Sequence, residues 1–284
     1  MNPRILAASA IVALAVSTTA FAQGKDKKGG KPPSRNDLAA RSVGAGAGAA
    51  SPLAWLDDAT VLEPGGVAAS ISTIRWWGSG LSEVNIPIVD VALGLTRRVQ
   101  VSASVPRVVD GTQPGGAVGG LGTTYFGAKI GVLENREHTA KFAVLPTIEV
   151  LSPGVVESLA PGEHRVQLGI PVSGEIDRGR LRLYGATGFF TRGAWFTGVG
   201  TGFVVNDKVA VSTGLSRAWR KSAVPDVPLG DRDRNELSGS VSYGFTSAVR
   251  GFASLSRTIA TLQENGAGTT IGCGVSFFFT TPAK

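Results

Sequence analysis

The sequence predicts an all-β protein, a transmembrane up-and-down antiparallel β-barrel of about 12 strands. Three observations predict it. Runs of ten to fourteen residues alternate bulky apolar with small or polar side chains. Short and long connections alternate between those runs. The small face of each run carries glycine and serine, and only 17% of all residues are charged, whereas the exterior of a soluble sheet is rich in charge.

The chain opens with "MNPRILAASAIVALAVSTTAFAQ". Arg4, the apolar stretch from Ile5 to Val16 and the small-x-small pair Ala20 and Ala22 read as a secretory signal peptide over residues 1–22. No cysteine follows the apolar core, so no lipid anchor is expected, and no later stretch is long and apolar enough for a spanning helix. Residues 23–62 read as a flexible basic N-terminal segment. Its first part, "QGKDKKGGKPPSRND", mixes lysine, glycine and proline and cannot bury enough apolar area to order itself. In an exported protein this basic tail reads as a solvated spacer, so no nucleic acid is expected as a partner. The second part, "LAARSVGAGAGAASPLAWLDDATVL" at 38–62, has Trp55 between Leu53 and Leu56 and is apolar enough to dock as a plug or periplasmic cap.

The barrel itself is expected over residues 63–279, with a C-terminal tail at 280–284. Twelve runs fall at about 65–77, 84–95, 98–106, 119–132, 139–150, 164–175, 180–190, 194–205, 208–218, 235–245, 249–260 and 268–279. In "VQVSASV", Val99, Val101, Ala103 and Val105 alternate with Gln100, Ser102 and Ser104. In "ELSGSVSYGF", Leu237, Val241, Tyr243 and Phe245 alternate with Glu236, Ser238, Ser240, Ser242 and Gly244. The second run changes parity near Ile88 and Val89, which predicts a bulge beside Pro87.

Tight turns are expected near 96–98, 134–138, 177–179, 206–207 and 246–249, and long loops at 107–118, 151–163 and 219–234. An even number of strands returns both ends to the short-turn side, which in an outer-membrane barrel is periplasmic. Hydrocarbon offers no hydrogen bonds, so strands span it only as a closed barrel with apolar side chains outward. This accounts for "IGCGVSFFF" at 271–279: Ile271, Cys273, Val275, Phe277 and Phe279 meet lipid, while Gly272, Gly274 and Ser276 border the interior. Cys273 is the single cysteine, so no intramolecular disulfide forms. Aromatic residues gather at the two ends of the runs, as interface belts do. Trp76, Trp77, Phe189, Phe190, Trp195 and Trp219 lie at the long-loop end, and Phe203, Phe245, Phe277 and Phe279 at the short-turn end.

The final "VSFFF" resembles the C-terminal targeting strand of outer-membrane barrels. That likeness implies the outer-membrane assembly machinery as a partner. The opening "LEPGGVAASISTIRWW", together with the twelve-run layout, resembles the family of outer-membrane transporters linked to the phenol-degradation (MetA-type) pathway, over about residues 60–279. The resemblance implies a small pore-like barrel of the bacterial outer membrane that passes small solutes, apolar or aromatic ones among them.

Strand parity assigns Asp90, Tyr125, Lys129, Lys141, Glu149, Arg165, Glu175, Arg182, Tyr184 and Glu236 to the lumen. The acids and bases among them balance. Such a set either lines a pore with little ion preference or forms cross-strand ion pairs that fill a narrow barrel, and the sequence leaves both open. The expected function is porin-like passive uptake of small-molecule solutes across outer-membrane lipid. The alternative is a structural or adhesive barrel that binds a partner through its extracellular loops, 219–234 above all. No enzyme is expected: His138 and His164 stand apart, and neither Ser152 nor Ser158 has the spacing of a nucleophile–base pair. "GAGAG" and "GVGTG" lack the strand–turn–helix setting of a nucleotide loop. No metal or other cofactor is expected.

Overall fold

The computed structural model describes residues 58–78, 81–113, 116–117, 119–137, 139–151, 164–191, 194–220, 234–261 and 268–280. They form one closed, twelve-stranded antiparallel barrel. In chain order the strands are β1 (Gly66–Gly78), β2 (Leu81–Gly94), β3 (Val99–Gln113) and β4 (Thr124–Glu134). Next come β5 in two pieces (Ala140–Val144 and Thr147–Val150) and β6 in two pieces (Val166–Gly169 and Val172–Arg178). The rest are β7 (Leu181–Phe189), β8 (Ala194–Val204), β9 (Val209–Arg220), β10 (Arg234–Gly244), β11 (Val249–Thr261) and β12 (Thr269–Thr280). Each strand pairs with the next, and β1 closes the barrel against β12, from Gly66 opposite Thr280 to Trp77 opposite Thr269. Closure leaves no free edge, which a strand surrounded by hydrocarbon cannot tolerate.

The tight turns are held by side chains that replace missing ladder bonds. Asn206 Oδ1 accepts from the backbone N–H of Lys208 and of Val209, both at 2.9 Å. Thr246 Oγ1 accepts from Ala248 N at 3.1 Å and Val249 N at 3.0 Å. Asn135 Oδ1 does the same for Thr139 and Ala140. Asparagine and threonine favour turns for this reason.

Four details differ from the sequence-based expectation. The segment read as a loop at 107–118 is largely strand, because β3 runs on to Gln113 and pairs with Gly116–Ala117 and Gly120–Leu121 on the way into β4. Val108, Gly111 and Thr112 continue the ladder opposite Asn85, Glu83 and Ser82 of β2. Similarly, β2 begins at Leu81 rather than near 84. The runs at 139–150 and 164–175 are each broken by a proline, Pro146 and Pro171, which has no N–H to donate. Leu145 N still donates to Pro171 O at 2.8 Å and Ala128 N to Pro146 O at 3.0 Å, so the wall stays continuous. Lastly, Trp76 and Phe190 do not join the outer belt. Phe190 is buried, and Trp76 sits on the same face as the buried Ser70 and Ser72.

The polarity of the wall is inverted relative to a soluble barrel. Val199, Leu215, Leu237, Val241, Leu255 and Ile271 lie on the outer face and are exposed, Leu168 to 56%. Their strand neighbours Ser216, Glu236, Ser242, Ser256 and Thr270 are buried. At one end of the outer face Trp195 stacks on Trp219, with ring centroids 6.5 Å apart, and Phe189 lies 4.8 Å from Trp195. Arg75 stands over Trp77 and Arg217 over Trp219 at that same end. A ring flanked by a cation fits the headgroup level of a bilayer. At the other end Phe203, Phe245 and Phe279 are exposed, with Tyr243 packed against Phe245 at 5.3 Å.

Candidate functional site: the barrel interior

Two chemically different halves make up the inner wall. Strands β9 to β12 and β1 present Ser212, Gly214, Ser216, Ser240, Ser242, Ser256, Gly272, Ser276, Ser70 and Ser72. Ser212 and Ser240 are register partners, and their hydroxyl oxygens lie 2.7 Å apart. Strands β3 to β7 instead present Gln100, Tyr125, Lys129, Lys141, Glu149, Gln167, Glu175 and Arg182.

On this charged half lies a short strap, residues 58–62, that precedes β1. It is buried along its whole length. Leu62 N donates to Gln100 Oε1 at 2.9 Å. Thr60 Oγ1 donates to Glu175 Oε2 at 2.8 Å and accepts from Lys141 Nζ at 2.9 Å. Ala59 N donates to Glu175 Oε2 at 3.2 Å, and Ser173 Oγ to the Asp58 carbonyl at 3.1 Å. The Asp58 carboxylate receives Lys129 Nζ at 3.5 Å and the Arg182 guanidinium. Arg182 Nε also donates to Glu175 Oε1 at 3.0 Å. The strap's partners all sit within a few residues of the short-turn ends of β3 to β7, so it lies near that end of the lumen.

Glycine makes the close approach feasible. A Cβ on Gly94 would come within 2.7 Å of the Leu62 carbonyl oxygen and nearer still to that of Glu63. On Gly131 it would meet the Val61 side chain at 3.4 Å. The chain then turns out of the lumen at Gly65, whose φ of 76° is left-handed, and Gly65 N donates to Gly94 O at 2.8 Å. Leu62 packs on Ala68, Ala92 and Phe278, an apolar patch beside the strap's polar contacts.

The ten residues that parity assigns to the lumen fall as follows. Lys129, Lys141, Glu175 and Arg182 come together around the strap, with Lys141 Nζ also 3.6 Å from Asp177 Oδ2. Tyr184 lies beside them, its ring 5.3 Å from the Arg182 guanidinium carbon. Tyr125 and Glu149 form a separate pair nearer the other end, with Tyr125 OH donating to Glu149 Oε1 at 2.9 Å. Asp90 stands apart and accepts from Ser70 Oγ at 2.8 Å. Glu236 is buried on the serine-rich half. Arg165 precedes β6, is exposed, and donates from Nε to the Leu151 carbonyl at 3.2 Å. His164 is described and exposed, while His138, Ser152 and Ser158 lie outside the described residues.

Sequence reasoning missed Asp58, which completes the ion-pair cluster, and the inner aromatic group. That group sets Ala186, Phe190 and Phe196 together near the long-loop end, with Ala218 against them. A Cβ on Gly188 would lie 2.5 Å from the Phe196 ring, so the glycine leaves the ring its seat. Parity carried the signal: Phe190 and Phe196 share the inward parity of Arg182 and Gly198.

A closed barrel with an apolar exterior and a polar, buried interior defines a membrane-spanning antiparallel β-barrel. Comparison of the fold with solved structures agrees. The NanC porin superposes with a TM-score of 0.56 at 9% identity, over 74% of this chain and 98% of that one. The COG4313 outer membrane channel from Pseudomonas putida F1 gives a TM-score of 0.55 at 14% identity, over 77% and 97%. The KdgM porin in complex with disordered oligogalacturonate gives 0.51 at 9% identity, over 74% and 99%. No family model and no curated protein sequence matches the chain.

Proposed function

We propose that the protein is a porin-like channel of the bacterial outer membrane, exported behind the signal peptide at 1–22, through which small solutes pass passively. The observation that carries this reading is the inverted wall: Ser240, Ser242 and Ser256 turn inward where Val241, Leu255 and Leu237 meet lipid. The likeness to porins and to an outer-membrane channel supports the same reading.

Small apolar or aromatic solutes, including those of phenol degradation, fit the resemblance in the opening strand. The ten lumen residues set the polarity of the path, and the strap at 58–62 acts as a plug that narrows it from the periplasmic end. Strand β12, with Phe277 and Phe279 facing out, is the segment offered to the outer-membrane assembly machinery.

The test uses the mature chain refolded into lipid. Discrete conductance steps in planar bilayers, and swelling of liposomes in small sugars and in phenol, are expected. A folded barrel, identified by heat-modifiable migration on gels, that gives neither would overturn the channel and leave the adhesive reading.

A further inference from the structure

Asp58 sits where a free carboxylate would also fit. Its side chain is 2% exposed and is met by cations from two separate strands, Lys129 on β4 and Arg182 on β7. Its own turn adds a third donor, Thr60 N, at 3.0 Å from Oδ1. An ammonium, a guanidinium and a backbone N–H converging on one carboxylate is how proteins hold carboxylate ligands.

The charge balance points the same way. Without the strap, the cluster on the wall holds the cations Lys129, Lys141 and Arg182 against the acids Glu175 and Asp177. Among these described groups the cations outnumber the acids by one, and Asp58 adds a negative charge between two of them. Buried cations need counter-charge close by, so the wall favours an anion at this point whether or not the anion belongs to the chain. Much of the strap's hold is polar: most of its bonds run to Gln100, Ser173, Glu175, Lys141, Lys129 and Arg182.

We infer that Lys129 and Arg182 form a carboxylate-binding site in the lumen wall, which the chain fills with its own Asp58 and which a small monocarboxylate takes when Asp58 is absent. The ligand class is a monoanionic carboxylic acid, whose two oxygens reproduce those of Asp58. The site's part in permeation rests on the channel reading above, so binding is measured separately from current.

The probe is acetate, with acetamide as its neutral counterpart of equal shape. Calorimetry on the detergent-solubilised mature chain compares wild type with Asp58→Ala. Asp58→Ala is expected to bind acetate at least about tenfold more tightly than wild type, and acetamide is expected to gain nothing. Adding Lys129→Gln to Asp58→Ala is expected to remove the gain. Equal acetate affinity in wild type and Asp58→Ala, an equal gain for acetamide, or a gain that survives Lys129→Gln would each overturn the site. Should Asp58→Ala lose its heat-modifiable migration, Asp58→Ser also vacates the place of the carboxylate and faces the same comparison. In planar bilayers the Asp58 variant is expected to become more anion-selective and to lose current on adding acetate. Calorimetric gain in a barrel that never conducts would uphold the site and overturn the channel; a conducting barrel without the gain would do the reverse.

Discussion

Lys141 and Glu175 face each other across the ladder between β5 and β6, with Nζ 3.5 Å from Oε1 and both side chains buried. Removing Lys141 leaves Glu175 to Arg182 alone, takes the cation from beside Asp177, and leaves the buried cluster with an excess of negative charge. Lys141→Ala is expected to lower stability by about 3–5 kcal/mol in urea unfolding from lipid vesicles. Combining Lys141→Met with Glu175→Gln removes both charges together and keeps one amide oxygen as an acceptor for Thr60 or for Arg182, so at least half of the loss is expected to return. A loss below about 1 kcal/mol for Lys141→Ala, the range of a solvated surface pair, would mean that water fills this part of the lumen.

Gly94 gives a test of the strap. Valine there cannot share space with the Leu62 and Glu63 carbonyl oxygens. Gly94→Val is expected to cost about 1–3 kcal/mol, the range for overpacking, and to lift residues 58–62 off the wall. The accompanying readout is single-channel conductance, which should rise. An unchanged conductance in a folded Gly94→Val barrel would show that the strap does not narrow the path.

Leu215 probes the outer face. It lies midway along β9, is half-exposed, and pairs with Val199 and Leu237. Leu215→Arg is expected to destabilise the barrel in bilayers by about 2–4 kcal/mol. Arginine at the end of the same face, in place of Val209 beside the turn at 206–208 and opposite Tyr243, is expected to cost far less.

Cys273 supplies a chemical reporter of the same face. It is exposed, and it pairs across β1 with Thr73 and across β11 with Ala253. In liposomes a charged, water-soluble maleimide is expected to leave it unmodified, while a membrane-permeant maleimide labels it. Equal labelling by both reagents would place the outer face in water.

How far the sequence discloses this architecture depends on the solvent each residue meets. Along β9, Val211, Thr213 and Leu215 face one solvent, and Ser212, Gly214 and Ser216 the other, so alternate positions carry opposite chemistry and the strand is legible. The breaks at Pro146 and Pro171 were visible in the residues but not in the alternation, which runs through them. Trp76 and Phe190 misled because an aromatic residue near a strand end suits either face, and only the parity of Ser72 or of Tyr184 and Ala186 tells them apart. Asp58 was illegible for a different reason. Its partner Arg182 lies 124 residues away, and no local pattern records a contact that exists only once the wall has curved round to meet the strap.

The pairing of Gly66 with Thr280 joins the first described strand to the last. The loop that this contact closes contains nearly every other strand, so its entropic cost falls due late, after most neighbouring hairpins can already have zipped. The strap enters the same cylinder immediately before β1. Its seat on β3 to β7 exists only where the wall has curved round, so the same cylinder that brings Gly66 to Thr280 also makes the strap's hydrogen bonds geometrically available.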